Sequence, residues 1–149
     1  MARVPVAEGV FSWPSDAPQL IGSRCSACGI VTFPVQDSCP RCASTGMAEH
    51  LLPRRGRLWA WTTQEFPPPS PPYAGPTGDA FVPFGVGYVE LEGEVKVETR
   101  LTEVDGLRIG MDMELELGCD AMPGDKLCEC REGWCRAEAE VADALLGGL

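Results

Sequence analysis

The sequence predicts a mainly β protein in two modules: an N-terminal arm with a small metal-stapled ribbon, followed by a short-stranded closed barrel. Three observations predict this. Two Cys-x-x-Cys knuckles, Cys25-Ser26-Ala27-Cys28 and Cys39-Pro40-Arg41-Cys42, are separated by ten residues, a spacing that lets two tight turns offer four sulfurs to one ion. Downstream, short β-branched or alternating apolar runs are punctuated by glycine-rich turns. Charge divides the chain at the same place: residues 1–57 carry six basic and four acidic groups, net +2, whereas residues 58–149 carry six basic and eighteen acidic, net −12. The arm is accordingly residues 1–19, the ribbon 20–53 and the barrel 54–149, the last with a Pro-rich loop at 67–83 and a cysteine-rich C-terminal segment.

Residues 1–19 contain three prolines, with Val10, Phe11 and Trp13 lacking helical periodicity, so they read as an extended arm. Its aromatic residues have two destinations, the ribbon or another subunit. Leu20 to Arg24 and Ile30 to Phe33 are the ribbon's strands. Gly29 suits the positive φ that a knuckle often needs, and Pro40 fixes φ without donating a hydrogen bond. The expected ligands are Cys25, Cys28, Cys39 and Cys42, rubredoxin-like in arrangement, with structural Zn2+ as the expected ion and iron as the alternative. No charged-then-apolar leader heads the sequence, so a reducing, cytoplasmic setting and free thiols are expected in place of disulfides. Four thiolates saturate a tetrahedral ion, which then activates no water and polarises no carbonyl. The metal's role is to fold a segment too short and polar to build its own core.

Beyond the ribbon, Leu58 to Phe66 reads as a long strand, and Pro67 to Pro83 as a loop, because proline removes donors. Gly85–Leu91 and Val95–Leu101 form a hairpin around Glu92-Gly93-Glu94. Met111, Met113, Leu115 and Leu117 alternate strictly with Asp112, Glu114 and Glu116, a strand with one buried face. A closing strand is expected near residues 126–139, then a short helix or frayed end. Short strands with a long first loop describe a small barrel, and the OB-fold is the commonest such design at this size. No apolar run approaches the ~20 residues that span a bilayer.

The inventory for catalysis is thin. His50 is the single histidine, and it lies in a Glu49-His50-Leu51-Leu52 connector, so it reads as solvated or hydrogen-bonded. No G-x-S-x-G elbow and no glycine-rich phosphate loop is present. The acidic barrel would repel a polyanion, which argues against nucleic acid as a partner. Cys119, Cys128, Cys130 and Cys135 lack a Cys-x-x-Cys knuckle; they read as small buried thiols, with a second metal or a disulfide as alternatives.

Taken in order, C-S-A-C-G-x3-F-P to C-P-R-C (Cys25 to Cys42), R-G-R-L-W-A-W-T (Arg55 to Thr62), P-F-G-V-G-Y-V-E-L-E-G (Pro83 to Gly93) and L-R-I-G-M (Leu107 to Met111) resemble the zinc-ribbon/OB-fold accessory proteins of acyl-CoA metabolism. The resemblance covers roughly residues 8–118 and departs after Leu117, where the cysteine-rich segment replaces the family's aromatic-x-Pro ending. It implies a non-catalytic subunit, hetero-oligomeric with a thiolase-fold enzyme (a thiolase or a lipid-transfer-type aldolase), that helps form or shield an acyl-CoA site. In that light Arg54, Arg55 and Arg57, the densest basic cluster, are candidates for the coenzyme A phosphates, which suit arginine's planar fork. Salt bridges to the acidic barrel are the competing role. The rival functions are a nucleic-acid-binding ribbon-plus-barrel and a small iron electron carrier.

Overall fold

The computed structural model describes residues 4–5, 8–69, 75–102, 104–119 and 134–141. Among the described residues the regular structure is nine strands and one short 3-10 turn: β1 Val4–Pro5, β2 Ile21–Cys25, β3 Val31–Thr32, β4 Met47–Leu51, β5 Arg55–Gln64, a 3-10 turn at Gly78–Ala80, β6 Phe84–Leu91, β7 Val95–Leu101, β8 Asp112–Cys119 and β9 Trp134–Val141. They form two sheets, β3-β2-β4 and β1-β9-β7-β6-β5-β8. Because β9 also pairs with β8, the second sheet closes on itself, and β1 adds to its β9 strand in parallel. This is the five-stranded OB barrel that the turn spacing predicts.

The ribbon has a strand the sequence reading missed. Glu49, His50 and Leu51, read there as a connector, belong to β4, which pairs antiparallel with β2 from Ile21↔Leu51 to Cys25↔Met47. The approach of the ribbon strands is close: a Cβ on Gly22 would lie 2.2 Å from the Thr32 carbonyl oxygen, so no larger residue fits there.

The barrel's first strand starts three residues earlier than Leu58, at Arg55, because this stretch pairs with β8 while the rest of β5 pairs with β6. A bulge between Leu58 and Ala60 lets one strand serve both neighbours, by bending it and sharpening its twist. Glu92 and Gly93, with φ of 45° and 73°, make the tight β6–β7 turn, closed by the Glu94 N–H donating to the Leu91 carbonyl at 2.8 Å. In β8, Met113 and Leu115 are buried while Asp112 and Glu116 are exposed, as the alternation requires. The closing strand is Trp134–Val141. The remainder of the expected 126–139 strand, and the helix or frayed end after it, lie outside the described residues.

Phe11, Leu20, Val31 and Leu52 join Leu58, Val89, Leu91, Val97, Leu101, Leu107, Met113 and Leu115 in one hydrophobic cluster. Arm, ribbon and barrel therefore share a core. Phe11 bridges to Leu20 and meets Trp13 edge-on at 6.2 Å, so the arm's first aromatic packs within its own chain. Among the described residues no helix is long and apolar enough to cross a membrane.

Candidate metal centre and basic cluster

Each knuckle closes by the same pair of backbone bonds. The Gly29 N–H donates to the Cys25 carbonyl at 2.9 Å and the Cys25 N–H to Ile30; the Ala43 N–H donates to Cys39 at 2.9 Å and the Cys39 N–H to Ser44. The repeated geometry needs a left-handed residue after each second cysteine. Glycine fills that position in the first knuckle (φ 75°), but alanine fills it in the second (φ 58°). A left-handed L-residue costs about 1–2 kcal/mol. Ala43→Gly is therefore expected to stabilise the ribbon by up to about 1 kcal/mol, the gain being reduced by glycine's greater unfolded entropy. Thermal unfolding of the zinc-loaded protein reads this as a raised midpoint.

The Sγ atoms of Cys25 and Cys42 are 3.6 Å apart, as are those of Cys28 and Cys39, and all four lie within 4.8 Å of one another. A tetrahedral ion with metal–sulfur bonds of about 2.3 Å sets its sulfurs roughly 3.8 Å apart, so the cluster fits a four-thiolate zinc. Cys25 and Cys39 are buried and Cys42 is exposed. Without an ion the Cys25 and Cys42 thiols are pushed in opposite directions. The Cys28 N–H, against the opposing effect of burial, holds the Cys25 thiol down at about 6. The Ser44 N–H favours the Cys42 thiolate, yet the neighbouring sulfurs of Cys39 and Cys25 and desolvation outweigh it and push that thiol up to about 12. A divalent cation relieves the conflict by making all four thiolates favourable at once.

His50 and the arginines have structural partners. His50 Nε2 lies 3.0 Å from Glu94 Oε2, and Arg24 Nη2 donates to Glu94 Oε1 at 2.6 Å. One carboxylate in the β6–β7 turn thus holds both β2 and β4, pinning the ribbon to the barrel. Arg54 donates to the carbonyls of Pro18 and Leu115 and approaches Glu114 at 3.7 Å, tying arm, ribbon end and β8. Arg55 pairs with Glu114 at 3.2 Å; Arg57 lies 3.8 Å from Asp112 and donates to the Gly110 carbonyl at 3.4 Å. Nothing in the local sequence signals Arg54's acceptors, which lie 36 and 61 residues away. Of the tail cysteines, Cys119 and Cys135 fall within β8 and β9, while Cys128 and Cys130 lie outside the described residues.

On the outer face of the barrel, Trp59 meets Tyr88 edge-on at 6.3 Å beneath the Lys96 ammonium, and Phe84 lies beneath Arg100. Phe66 and Val82, at the two ends of the Pro-rich loop, are 77% and 73% exposed.

The sequence profile described as the rubredoxin-like zinc ribbon domain of ChsH2 matches residues 16–48, and the profile of the ChsH2 C-terminal OB-fold domain matches residues 49–118. The chain belongs to the ChsH2-type zinc-ribbon/OB-fold family. Among ChsH2-type relatives, the benzoylsuccinyl-CoA thiolase subunit BbsA of Thauera aromatica is 31% identical over 108 residues, covering 70% of this chain and 69% of that protein. A DUF35 domain-containing scaffold protein of Pyrococcus furiosus is 30% identical over 99 residues, 66% of this chain and 67% of its own. The solved Ltp2-ChsH2(DUF35) aldolase shares the fold, with a TM-score of 0.57 at 22% identity over 83% of this chain and 84% of that one. The ChsH2-type assignment accounts for both modules and for the four ribbon cysteines.

Proposed function

We propose that this protein is a non-catalytic accessory subunit of a thiolase-superfamily enzyme, a thiolase or a lipid-transfer-type aldolase, and that it helps bind or shield a coenzyme A thioester on which the partner acts. The observation that carries this reading is the 108-residue match to a protein named as a thiolase subunit, longer than either module alone. The proteins named as scaffolds support it too. So does the construction of the chain: a saturated metal site gives rigidity rather than reactivity, and the Glu94 and Arg54 contacts hold ribbon and barrel in one orientation. The reading carries with it a cytoplasmic hetero-oligomer.

The test is assembly. Affinity capture from the native host, with mass spectrometry of what is retained, is expected to recover a thiolase-fold enzyme, and the isolated chain is expected to turn over no acyl-CoA. Thiolytic or aldol activity in the pure chain, abolished by one substitution within it, overturns the proposal.

The Pro-rich loop is assigned to the partner's surface. Phe66 and Val82 supply apolar anchors at its ends, and prolines reduce the cost of ordering it. Amide exchange over residues 73–81 is expected to slow on complex formation. Equal exchange with and without partner, together with unchanged assembly after residues 68–78 are replaced by a short Gly/Ser link, rules out docking through this segment.

For coenzyme A phosphates, the proposed ligands are drawn from Arg54, Arg55 and Arg57. Arg55 and Arg57, with side chains 67% and 72% exposed, are free to turn toward a phosphate at the cost of weak surface pairs. Arg54 is held more firmly, by the Pro18 and Leu115 carbonyls. Substituting Arg55 and Arg57 by alanine is expected to weaken acyl-CoA binding to the assembled complex roughly ten- to hundredfold, the worth of one or two charge-assisted hydrogen bonds. Unchanged affinity returns both residues to their pairs with Glu114 and Asp112.

A further inference from the structure

We propose that Cys119 and Cys135 are a thiol pair that closes into a cross-strand disulfide by exchange with a low-molecular-weight disulfide. The observation is one of register. Strands β8 and β9 run antiparallel from Met113↔Val141 to Cys119↔Cys135, so the two cysteines are direct Cα partners at the end of the ladder. Opposed residues of an antiparallel pair share a face of the sheet, with Cα atoms about 4.5–5.5 Å apart. Disulfides span Cα separations of about 4.4–6.8 Å. The register therefore sets two residues 16 positions apart directly opposite one another, and the usual spacing of such a pair is one a disulfide accepts.

Two further facts single out this pair. The ribbon sulfurs already face one another as a closed set of four, so they are not available as partners. Cys135 is also the Cα partner of Pro5 in β1, on the other side of β9. A bond from Cys135 to Cys119 therefore lies where the first strand of the chain meets the two strands that close the barrel. Oxidised, it ties β9 covalently to β8; reduced, the two strands have no covalent link there.

The reaction balances with oxidised glutathione as the reactant. One cysteine thiolate attacks a glutathione sulfur, breaking that S–S bond, forming a protein–glutathione mixed disulfide and releasing one glutathione thiolate. The second cysteine thiolate attacks the protein sulfur of the mixed disulfide and expels the other glutathione. Two protein thiols are oxidised, one glutathione disulfide is reduced to two thiols, and the two cysteine protons end on the departing glutathiones.

The test uses the full zinc-loaded chain, equilibrated in glutathione buffers from reducing to oxidising, quenched in acid, alkylated and mapped by peptide mass spectrometry. Under oxidising conditions two thiols per chain are expected to disappear into a linked peptide pair containing Cys119 and Cys135, with zinc retained, and excess reduced glutathione is expected to reopen it. Cys119→Ser is expected to abolish the link and leave Cys135 carrying glutathione. Alkylation of both cysteines after oxidation, a link to Cys128 or Cys130 in their place, or a link found only between chains overturns the proposal. The wild-type map decides even where the serine variant fails to fold.

Discussion

Replacing Cys25 or Cys42 with serine is expected to unfold the ribbon outright. Structural zinc contributes an apparent 10–16 kcal/mol or so in peptides of this kind, as much as the whole stability of an ordinary domain. Apart from the metal, the ribbon holds itself with strands of five, two and five residues. Elemental analysis is expected to find one zinc per wild-type chain and none in either variant, with the amide signals of residues 20–53 collapsing in a spectrum of the metal-free protein. A metal-free chain that keeps those signals dispersed would remove zinc from the account of folding. Acid acts in the same direction. The Cys25 thiol is depressed from 9.0 to about 6, so the stability its thiolate supplies is present above the ordinary value and is lost as pH falls through about 6. Cys42, raised from 9.0 to about 12, does the reverse: its protonated form contributes below pH 9, and that contribution fades as pH rises toward 12. Between these limits the metal-free cluster holds a Cys25 thiolate beside a protonated Cys42, which must give up its proton before zinc can take all four sulfurs. Protons and zinc compete for the same four sulfurs, so the bound ion is expected to be released on acidification.

The second large effect is expected at Leu52, which is 0% exposed in the core shared by ribbon and barrel. Leu52→Ala removes about 2–5 kcal/mol, which for a chain of this size shifts the thermal midpoint by roughly 5–15 °C. Two probes separate the possibilities: tryptophan fluorescence for the barrel, and zinc release to a chromogenic chelator for the ribbon. Both transitions are expected to move together, because one cluster runs through both modules. A fall in the zinc-release midpoint with fluorescence unchanged would show two independent cores.

What the sequence makes legible is what local chemistry encodes. The cysteine knuckles need only their own turns, the β6–β7 hairpin needs only Glu92-Gly93-Glu94, and the Met111-to-Leu117 alternation announces its own buried face. Strand β4 escapes the same reasoning because its apolar and polar residues do not alternate and it is mostly exposed; only its register against β2 makes it a strand. Arg55 and Arg57 resemble a basic linker until β8 lies beside them, when they become exposed positions of a strand with carboxylates opposite. The same holds for the site. The four ligands are readable because their spacing is local, whereas Arg54's bond to Leu115, and Glu94's grip on Arg24 and His50, join residues far apart in the chain.

The Glu94 contact also decides where the molecule tolerates extra chain. A hairpin tip is ordinarily a safe place to splice in a tag or a few added residues. Here the carboxylate that holds the ribbon is the last residue of a three-residue turn, and lengthening that tip by even one residue carries it away from Arg24 and His50. The Pro-rich segment, entered and left through exposed Phe66 and Val82, has no such attachment among its described residues. An engineer labelling this protein would leave the short hairpin untouched, and would use the longer loop only for work on the free chain, because that loop is assigned to the partner's surface.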